Sequence, residues 1–249
     1  MNKDILIFDI WGYAGHFRKF YTNSSSLTYS IPPRTTISGI VAAIMGRERD
    51  SYYDEFSADN VDIAIRKNIK TRKILQSVNY MKITTNKHFE FPENHTQIPY
   101  EMVLSVNDYL SYRIYISHKD KSFMDELEYR LKNRKYYYSP FLGAASFNCG
   151  IDYIAKTIAT ENEGDDMTYI VSPIPFNKIE DRGIVLSKID TKNVMIVKER
   201  MPREFEGNRN IKAIEYYIFD ENTNPIPVKL KGNCINVQYN GVDENILFM

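Results

Sequence analysis

The sequence predicts an α+β fold. A ferredoxin-like domain spans residues 1–160, with a projecting β-hairpin at about 84–107, and a small β-rich C-terminal domain spans 161–249. Three observations predict it. The order strand, helix, strands, helix, strand is that of a split βαβ unit. Tyr109–Ser117 alternates its side chains as a strand does. Glu161–Asp166 (ENEGDD) turns acidic and glycine-bearing, as a linker would, and short strand-like runs follow it between turn clusters.

Asp4–Ile10 (DILIFDI), rich in β-branched and aromatic residues, reads as the opening strand. Trp11–Tyr29 is a long polar excursion with Gly12 and Gly15. Pro32 and Pro33 suit a helix start, and Thr35–Met45 continues it, with Ile37, Ile40, Val41 and Ile44 at i, i+3, i+4 and i+7. Gly46 is placed to end it. Ser51–Phe56 is expected to form a short second helix, and Val61–Ile65 and Lys73–Ile83 read as strands. Thr84–Asn107 mixes turn formers with short extended pieces, which suits the projecting hairpin. In Tyr109–Ser117, Leu110, Tyr112, Ile114 and Ile116 share one face, and Ser111, Arg113, Tyr115 and Ser117 the other. Ser122–Lys135 carries the helical stripe Phe123, Leu127, Leu131, with Ser122 as its cap and basic residues at its end. Ile151–Ile158 closes the unit. Later runs are Tyr169–Val171, Gly183–Lys188, Val194–Lys198, Ala213–Phe219, Ile226–Leu230 and Cys234–Tyr239.

A chain of 249 residues that is 43 % hydrophobic can bury a core and is not a disordered segment. Its formal net charge is zero, so the overall balance announces no nucleic-acid partner. The local distribution says more. Ile63–Phe89 has no acidic residue, yet holds Arg66, Lys67, Lys70, Arg72, Lys73, Lys82 and Lys87. Such a strip creates a local positive field. Charge alone leaves equally open a solvated sheet face whose acids come from elsewhere in the fold. Cys149 and Cys234 lie far apart without metal-ligand spacing, which argues for a reducing compartment and against a disulfide scaffold or zinc site. No apolar run approaches the length of about 20 residues that spans a bilayer. The N-terminus runs straight into a strand with no signal peptide. The cytoplasm is the expected location, with no membrane partner, metal or cofactor.

Three segments carry the functional information. Gly12–Thr22 (GYAGHFRKFYT) interleaves aromatics with Arg18 and Lys19. Aromatics such as Tyr21 can stack on unpaired bases while the cations hold phosphates. A loop that merely covers the core would read the same way. Leu27–Gly46 sets Arg34, Thr35 and Thr36 in the first turn of a helix, where N–H groups, hydroxyls and a guanidinium can meet a phosphodiester. Plain capping would explain the threonines but not the arginine. Pro140–Gly150 (PFLGAASFNCG), with Gly143, lets the backbone approach another chain closely. No Gly-Lys-Ser/Thr follows, so it is not a triphosphate loop.

The conjunction is more specific than its parts. An opening strand, then G-x-x-G-H-F-R-K-x-x-T, then P-P-R-T-T-x-x-G-x-x-A-A-I-x-G, resembles the N-terminus of the CRISPR-associated Cas-five family, over about the first fifth of the chain. Pro140–Gly150 looks like that family's glycine-bearing segment before its last core strand. The family belongs to the RAMP group, repeat-associated RNA-binding proteins with ferredoxin-like domains, and its members are subunits of the Cascade complex. The resemblance, closest to the type I-B branch, implies that the chain grips the five-prime handle of the CRISPR RNA. It also implies that the chain caps the backbone of RAMP subunits and contacts the large subunit beside the target DNA's protospacer-adjacent motif. Arg18, Lys19 and Arg34 are then expected on handle phosphates. Tyr21, Thr35, Thr36, Lys82, Lys87 and Gly143 complete the expected RNA-contacting set.

One branch of that family consists of metal-independent ribonucleases that use Tyr, Lys and His. Such chemistry needs a base for the 2′-hydroxyl, an acid for the leaving oxygen and a cation for the phosphorane. His118-Lys119 is the nearest candidate pair, with Tyr21 or Tyr29 as a third member; His16, His88 and His95 are scattered. A His-Lys pair at a strand end is more often an exposed turn. Dispersed Asp and Glu offer no paired motif for a metal-dependent nuclease. The expectation is therefore an RNA-holding subunit without catalytic residues. The alternatives are a processing endoribonuclease and an assembly protein without RNA contact.

Overall fold

The computed structural model describes residues 2–91, 94–162 and 167–249. Residues 163–166 of the expected linker lie outside these, and Glu161 and Asn162 belong to a strand.

Strand β1 (Asn2–Gly12) is the hub. Its apolar run is nearly continuous because both faces are covered. Leu6, Phe8 and Ile10 enter one core, and Ile5 and Ile7 another. Helix α1 (Arg34–Met45) buries Ile37, Ile40, Val41 and Ile44, as their spacing predicts. It ends on Gly46, at φ 75°, whose N–H closes on the helix's last carbonyls. Strand β2 (Val61–Lys67) follows. No helix forms over Ser51–Phe56; the segment is a run of turns. Six residues are too few to offset helix nucleation without an apolar stripe.

Strands β3 (Thr71–Met81) and β4 (His95–Ser105) form an antiparallel hairpin, registered from Thr71 opposite Ser105 to Met81 opposite His95. The short helix α2 (Asn86–Glu90) lies between them, capped by Thr85. The projecting hairpin is therefore longer than expected. Its first arm is the run read as an ordinary strand at Lys73–Ile83. Leu75, Gln76, Ser77, Asn79, Tyr80 and Met81 are all exposed, a pattern that a strand inside a sheet between two cores does not show.

Strand β5 (Leu110–His118) pairs with both β1 and β2. Helix α3 (Lys121–Asn133) packs Phe123, Leu127 and Leu131 inward. Its cap is Asp120, not Ser122: the Asp120 carboxylate accepts the Ser122 N–H at 2.8 Å. Strand β6 (Gly150–Asn162) pairs with the other edge of β1. The central order is thus β6–β1–β5–β2, each strand antiparallel to its neighbour. Residues of α1 and α3 share one apolar core with one face of these strands.

The later strands β7 (Thr168–Ile170), β8 (Ile179–Ile184), β9 (Ile196–Glu206), β10 (Asn210–Asp220), β11 (Ile226–Leu230), β12 (Cys234–Tyr239) and β13 (Val242–Ile246) make this part β-rich. Five of them extend the main sheet to nine strands, joined through β12 on β6. Ile170, Ile174, Ile226 and Val228 form a core of their own. Strands β9 and β10 form a separate long hairpin that lends Met201, Tyr217 and Phe219 to the main core.

This arrangement covers the second face of β5. Tyr115 packs with Ile5, Ile7, Val237 and Ile246. Its hydroxyl donates to Glu244, which also accepts from the Tyr239 hydroxyl at 2.5 Å. The alternating polar face of the sequence is therefore buried and satisfied rather than solvated.

Candidate nucleic-acid interface

The polar excursion after β1 is seated on the base of the projecting hairpin. Ala14–Gly15 pairs with Leu104 and Val103 of β4, and Phe17–Arg18 pairs with Thr28–Tyr29. Phe17 anchors the loop in the core, edge-on to Tyr112. His16 is the rivet. Its Nδ1 lies 2.7 Å from the Glu101 carbonyl, its Nε2 lies 3.0 Å from the Ser26 hydroxyl, and its ring stacks on Tyr100 at 4.2 Å. Burial lowers its pKa below the ordinary value, so the neutral ring is the form that fits. The Glu101 carboxylate accepts the Thr28 N–H at 2.8 Å and ties the second arm of the loop to the same strand.

On this platform Arg18 is exposed, and among the described residues its guanidinium hydrogen-bonds only the Thr22 carbonyl, at 3.2 Å. Tyr21 is exposed beside it. Lys19 is committed elsewhere. It bonds both Glu199 carboxylate oxygens at 2.7 and 2.9 Å and lies over the Tyr29 ring. Burial opposes its charge, and Glu199 more than offsets that, so its pKa is raised. A phosphate would have to compete with that carboxylate.

The hairpin carries the remaining cations outward. Lys70, Arg72, Lys82 and Lys87 are exposed and form no ion pair among the described residues. Between them stand Tyr80, Met81 and Ile83, and near the tip Phe89 and Phe91, 75 % and 64 % exposed. Cations among exposed aromatics are the elements of a single-strand binding surface. The hairpin aromatics were not singled out from the sequence. The signal was there: Tyr80, Phe89 and Phe91 fall in a segment otherwise rich in Lys, Thr and Asn. Two other cations of the strip are paired within the fold. Arg66 pairs with Glu244 and Lys67 with Glu221, each at 2.5 Å, so their acids do come from elsewhere in the fold.

Four of the residues expected on RNA, Arg34, Thr35, Thr36 and Gly143, have close neighbours within this chain. Arg34 is 1 % exposed and points inward. It donates to the carbonyls of Phe56 at 3.0 Å, Val61 at 2.7 Å and Arg203 at 3.3 Å, and its burial keeps the guanidinium out of reach of a phosphate at the surface. The arginine that capping did not explain is a strut between α1, β2 and β9. Thr35 and Thr36 are half-buried, and Glu204 and Phe205 of β9 flank the helix start where an anion was expected. Gly143 has a reason within this chain. At φ 84° it packs on the His16 backbone, where a Cβ would stand 2.0 Å from the carbonyl oxygen.

The candidate acid–base groups are also engaged. The His118 ring stacks on Phe123 at 4.3 Å, accepts the Asp120 N–H on Nδ1 at 2.8 Å, and reaches the Glu55 carbonyl from Nε2 at 3.3 Å. The Tyr29 hydroxyl is buried and donates to the Arg200 carbonyl at 2.5 Å. Lys119 is exposed. Among the described residues no three His, Cys, Asp or Glu cluster to hold a metal, and no helix is long and apolar enough to cross a membrane. Burial pushes the Cys149 thiol up to about 12.

Comparison with known proteins gives a family and a fold. Residues 5–210 match the family model for the CRISPR-associated protein Cas_Cas5. A solved CRISPR protein from Archaeoglobus fulgidus superposes with a TM-score of 0.55 at 13 % identity, over 98 % of this chain and 99 % of that one. A chain of a type III-B Cmr-beta complex bound to cognate target RNA and AMPPnP superposes with a TM-score of 0.51 at 10 % identity, over 90 % of this chain and 86 % of the other. No curated protein matches the sequence.

Proposed function

The chain belongs to the CRISPR-associated Cas5 family, and from that premise we propose that it is a non-catalytic, RNA-holding subunit of a type I Cascade effector complex, of the I-B kind. The observation that carries the reading is the hairpin and the loop riveted to its base. Together they present Arg18, Arg72, Lys82 and Lys87, unpaired among the described residues, with exposed Tyr21, Tyr80 and Phe89. Such a surface grips a single strand through phosphates and base faces at once. In this reading the central β6–β1–β5–β2 sheet with α1 and α3 is a ferredoxin-like RAMP core. The hairpin is a thumb that lies along the five-prime handle of the CRISPR RNA and against the neighbouring backbone subunit. The opposite end of the chain then faces the large subunit and the target DNA near the protospacer-adjacent motif, in the cytoplasm.

A holding role also suits the histidines. Both nitrogens of His16 and of His118 are engaged by the chain itself, so neither ring is poised to take a proton from a 2′-hydroxyl. Crosslinking of the assembled complex tests the proposal. Crosslinks from the RNA handle should map to residues 13–22 and 70–91. Crosslinks confined to the β9–β10 hairpin, or none at all, would overturn it and favour an assembly protein without RNA contact.

A further inference from the structure

A second patch of cations and aromatics begins where the loop after β1 meets β9. Tyr21 stands edge-on to Phe20 with ring centres 5.2 Å apart, and the Arg200 guanidinium of β9 lies over the Phe20 ring at 5.2 Å. Directly opposite Arg200 on β10 is Tyr216. The Lys198 ammonium lies 4.9 Å from the centre of the Tyr216 ring and 3.4 Å from that of Phe176. Tyr21, Arg200, Tyr216, Lys198 and Phe176 are all exposed. With Phe20 they form one strip that runs from the loop across the β9–β10 hairpin.

Rings hold these two cations, and carboxylates do not. Neither Lys198 nor Arg200 forms an ion pair among the described residues. An aromatic face attracts a cation through its quadrupole but carries no net charge, so both cations are positioned with their charge intact. Lys19, by contrast, is matched by Glu199. The acids of the hairpin are directed elsewhere. Opposed residues of an antiparallel pair share a face, and the faces alternate along each strand. Glu199 opposes Tyr217 and Glu215 opposes Met201, on the side that feeds the main core. Asp220 lies on the side of Lys198, but it is buried and accepts the Met195 and Asn224 N–H groups. The side carrying Lys198, Arg200 and Tyr216 therefore presents positive charge and aromatic rings.

Resting on the RNA-holding reading above, we propose that this strip is a second segment of the RNA path. The single strand that leaves Arg18 and Tyr21 crosses Phe20 onto the β9–β10 hairpin. Arg200 and Lys198 take phosphates there, and Tyr216 and Phe176 pack against bases. An acidic protein segment would use the cations alone; the rings favour unpaired bases, each of which has a π-face.

The test uses the full chain with single-stranded repeat RNAs of graded length, read by fluorescence anisotropy across salt concentrations and by photocrosslinking. Lys198→Gln combined with Arg200→Gln should lower the salt slope by about 1.4, the value of two phosphates, with unchanged melting temperature. Tyr216→Ala should weaken the longer RNAs at least about fivefold. Lys198→Glu, which leaves the Phe20 contact intact, should weaken the same RNAs, and Lys198→Arg should retain affinity. RNAs too short to run beyond the loop should bind Lys198→Glu as they bind the wild type. Crosslinks should reach Phe176 and Tyr216 as well as residues 13–22. Wild-type affinity and salt slope in Lys198→Glu and Tyr216→Ala, with crosslinks kept at residues 13–22, would overturn this extension and leave the RNA-holding reading standing. Unchanged RNA affinity with lost assembly into the effector complex in Lys198→Glu would also overturn it and identify a protein partner. No RNA binding by the wild type would overturn the RNA-holding reading itself, and this inference with it.

Discussion

Arg34→Ala separates a structural strut from an RNA contact. The guanidinium joins the first turn of α1 to the Phe56 and Val61 carbonyls at 3.0 and 2.7 Å and to the Arg203 carbonyl at 3.3 Å. Hydrogen bonds from a charged donor contribute about 1.5–3 kcal/mol each. The long third bond counts for less, and the buried Nε has no partner, so the gain is partly offset by desolvation. Truncation leaves three carbonyls without this donor and a hole under the helix start. The expected loss is about 3–5 kcal/mol. For a chain of this size that lowers the melting temperature by roughly 6–20 °C. Thermal and urea unfolding followed by circular dichroism measure the loss. RNA affinity of the folded variant, measured across salt concentrations at a temperature where it stays folded, should keep the wild-type slope. A variant within about 0.5 kcal/mol of wild type whose salt slope falls by roughly 0.7, the value of one phosphate contact, would refute the assignment.

Other outcomes follow from the same geometry. Gly143→Ala should destabilise by at least about 2 kcal/mol, because a side chain at φ 84° is strained and its Cβ meets the His16 carbonyl; urea midpoints would show it. His16 resists protonation in the folded chain, while the unfolded chain protonates near the ordinary 6.5. Its contribution to stability is therefore present above that pH and declines as pH falls below it. His16→Gln should flatten this acid-side decline, so parallel pH profiles for wild type and variant would count against a neutral buried ring. Replacing Arg18, Lys82 and Lys87 together by Gln should lower the salt slope of RNA binding by about 2, with unchanged melting temperature. Lys19→Met should cost stability through Glu199 more than it costs RNA affinity.

Periodicity made much of the core legible. The α1 stripe, the Leu110–Ile116 face and the α3 stripe are all buried as their spacing requires. Two kinds of information were not local. The first is pairing: an extended run such as Thr71–Met81 looks the same whether its partner is the main sheet or His95–Ser105, because strand propensity carries no address. The second is charge partnership. Arg34, Lys19, Arg66 and Lys67 all looked like surface cations, yet their partners Val61, Glu199, Glu244 and Glu221 lie 27 to 180 residues away. Arg18, Lys82 and Lys87 kept their exposed places because no acid from the C-terminal strands reaches them among the described residues. Gly143 was noticed for its freedom, but only the fold supplies the neighbour that requires it.

Holding RNA without cutting it is the role proposed for this Cas5-family chain. The most direct measurement incubates the purified chain with its CRISPR repeat RNA in a chelator and follows binding and RNA length together. A holding subunit gives a bound, full-length RNA whose affinity falls as salt rises, unchanged in length by His16→Ala or His118→Ala. A site-specific, chelator-resistant product from the wild type, abolished by one of those substitutions, would contradict it.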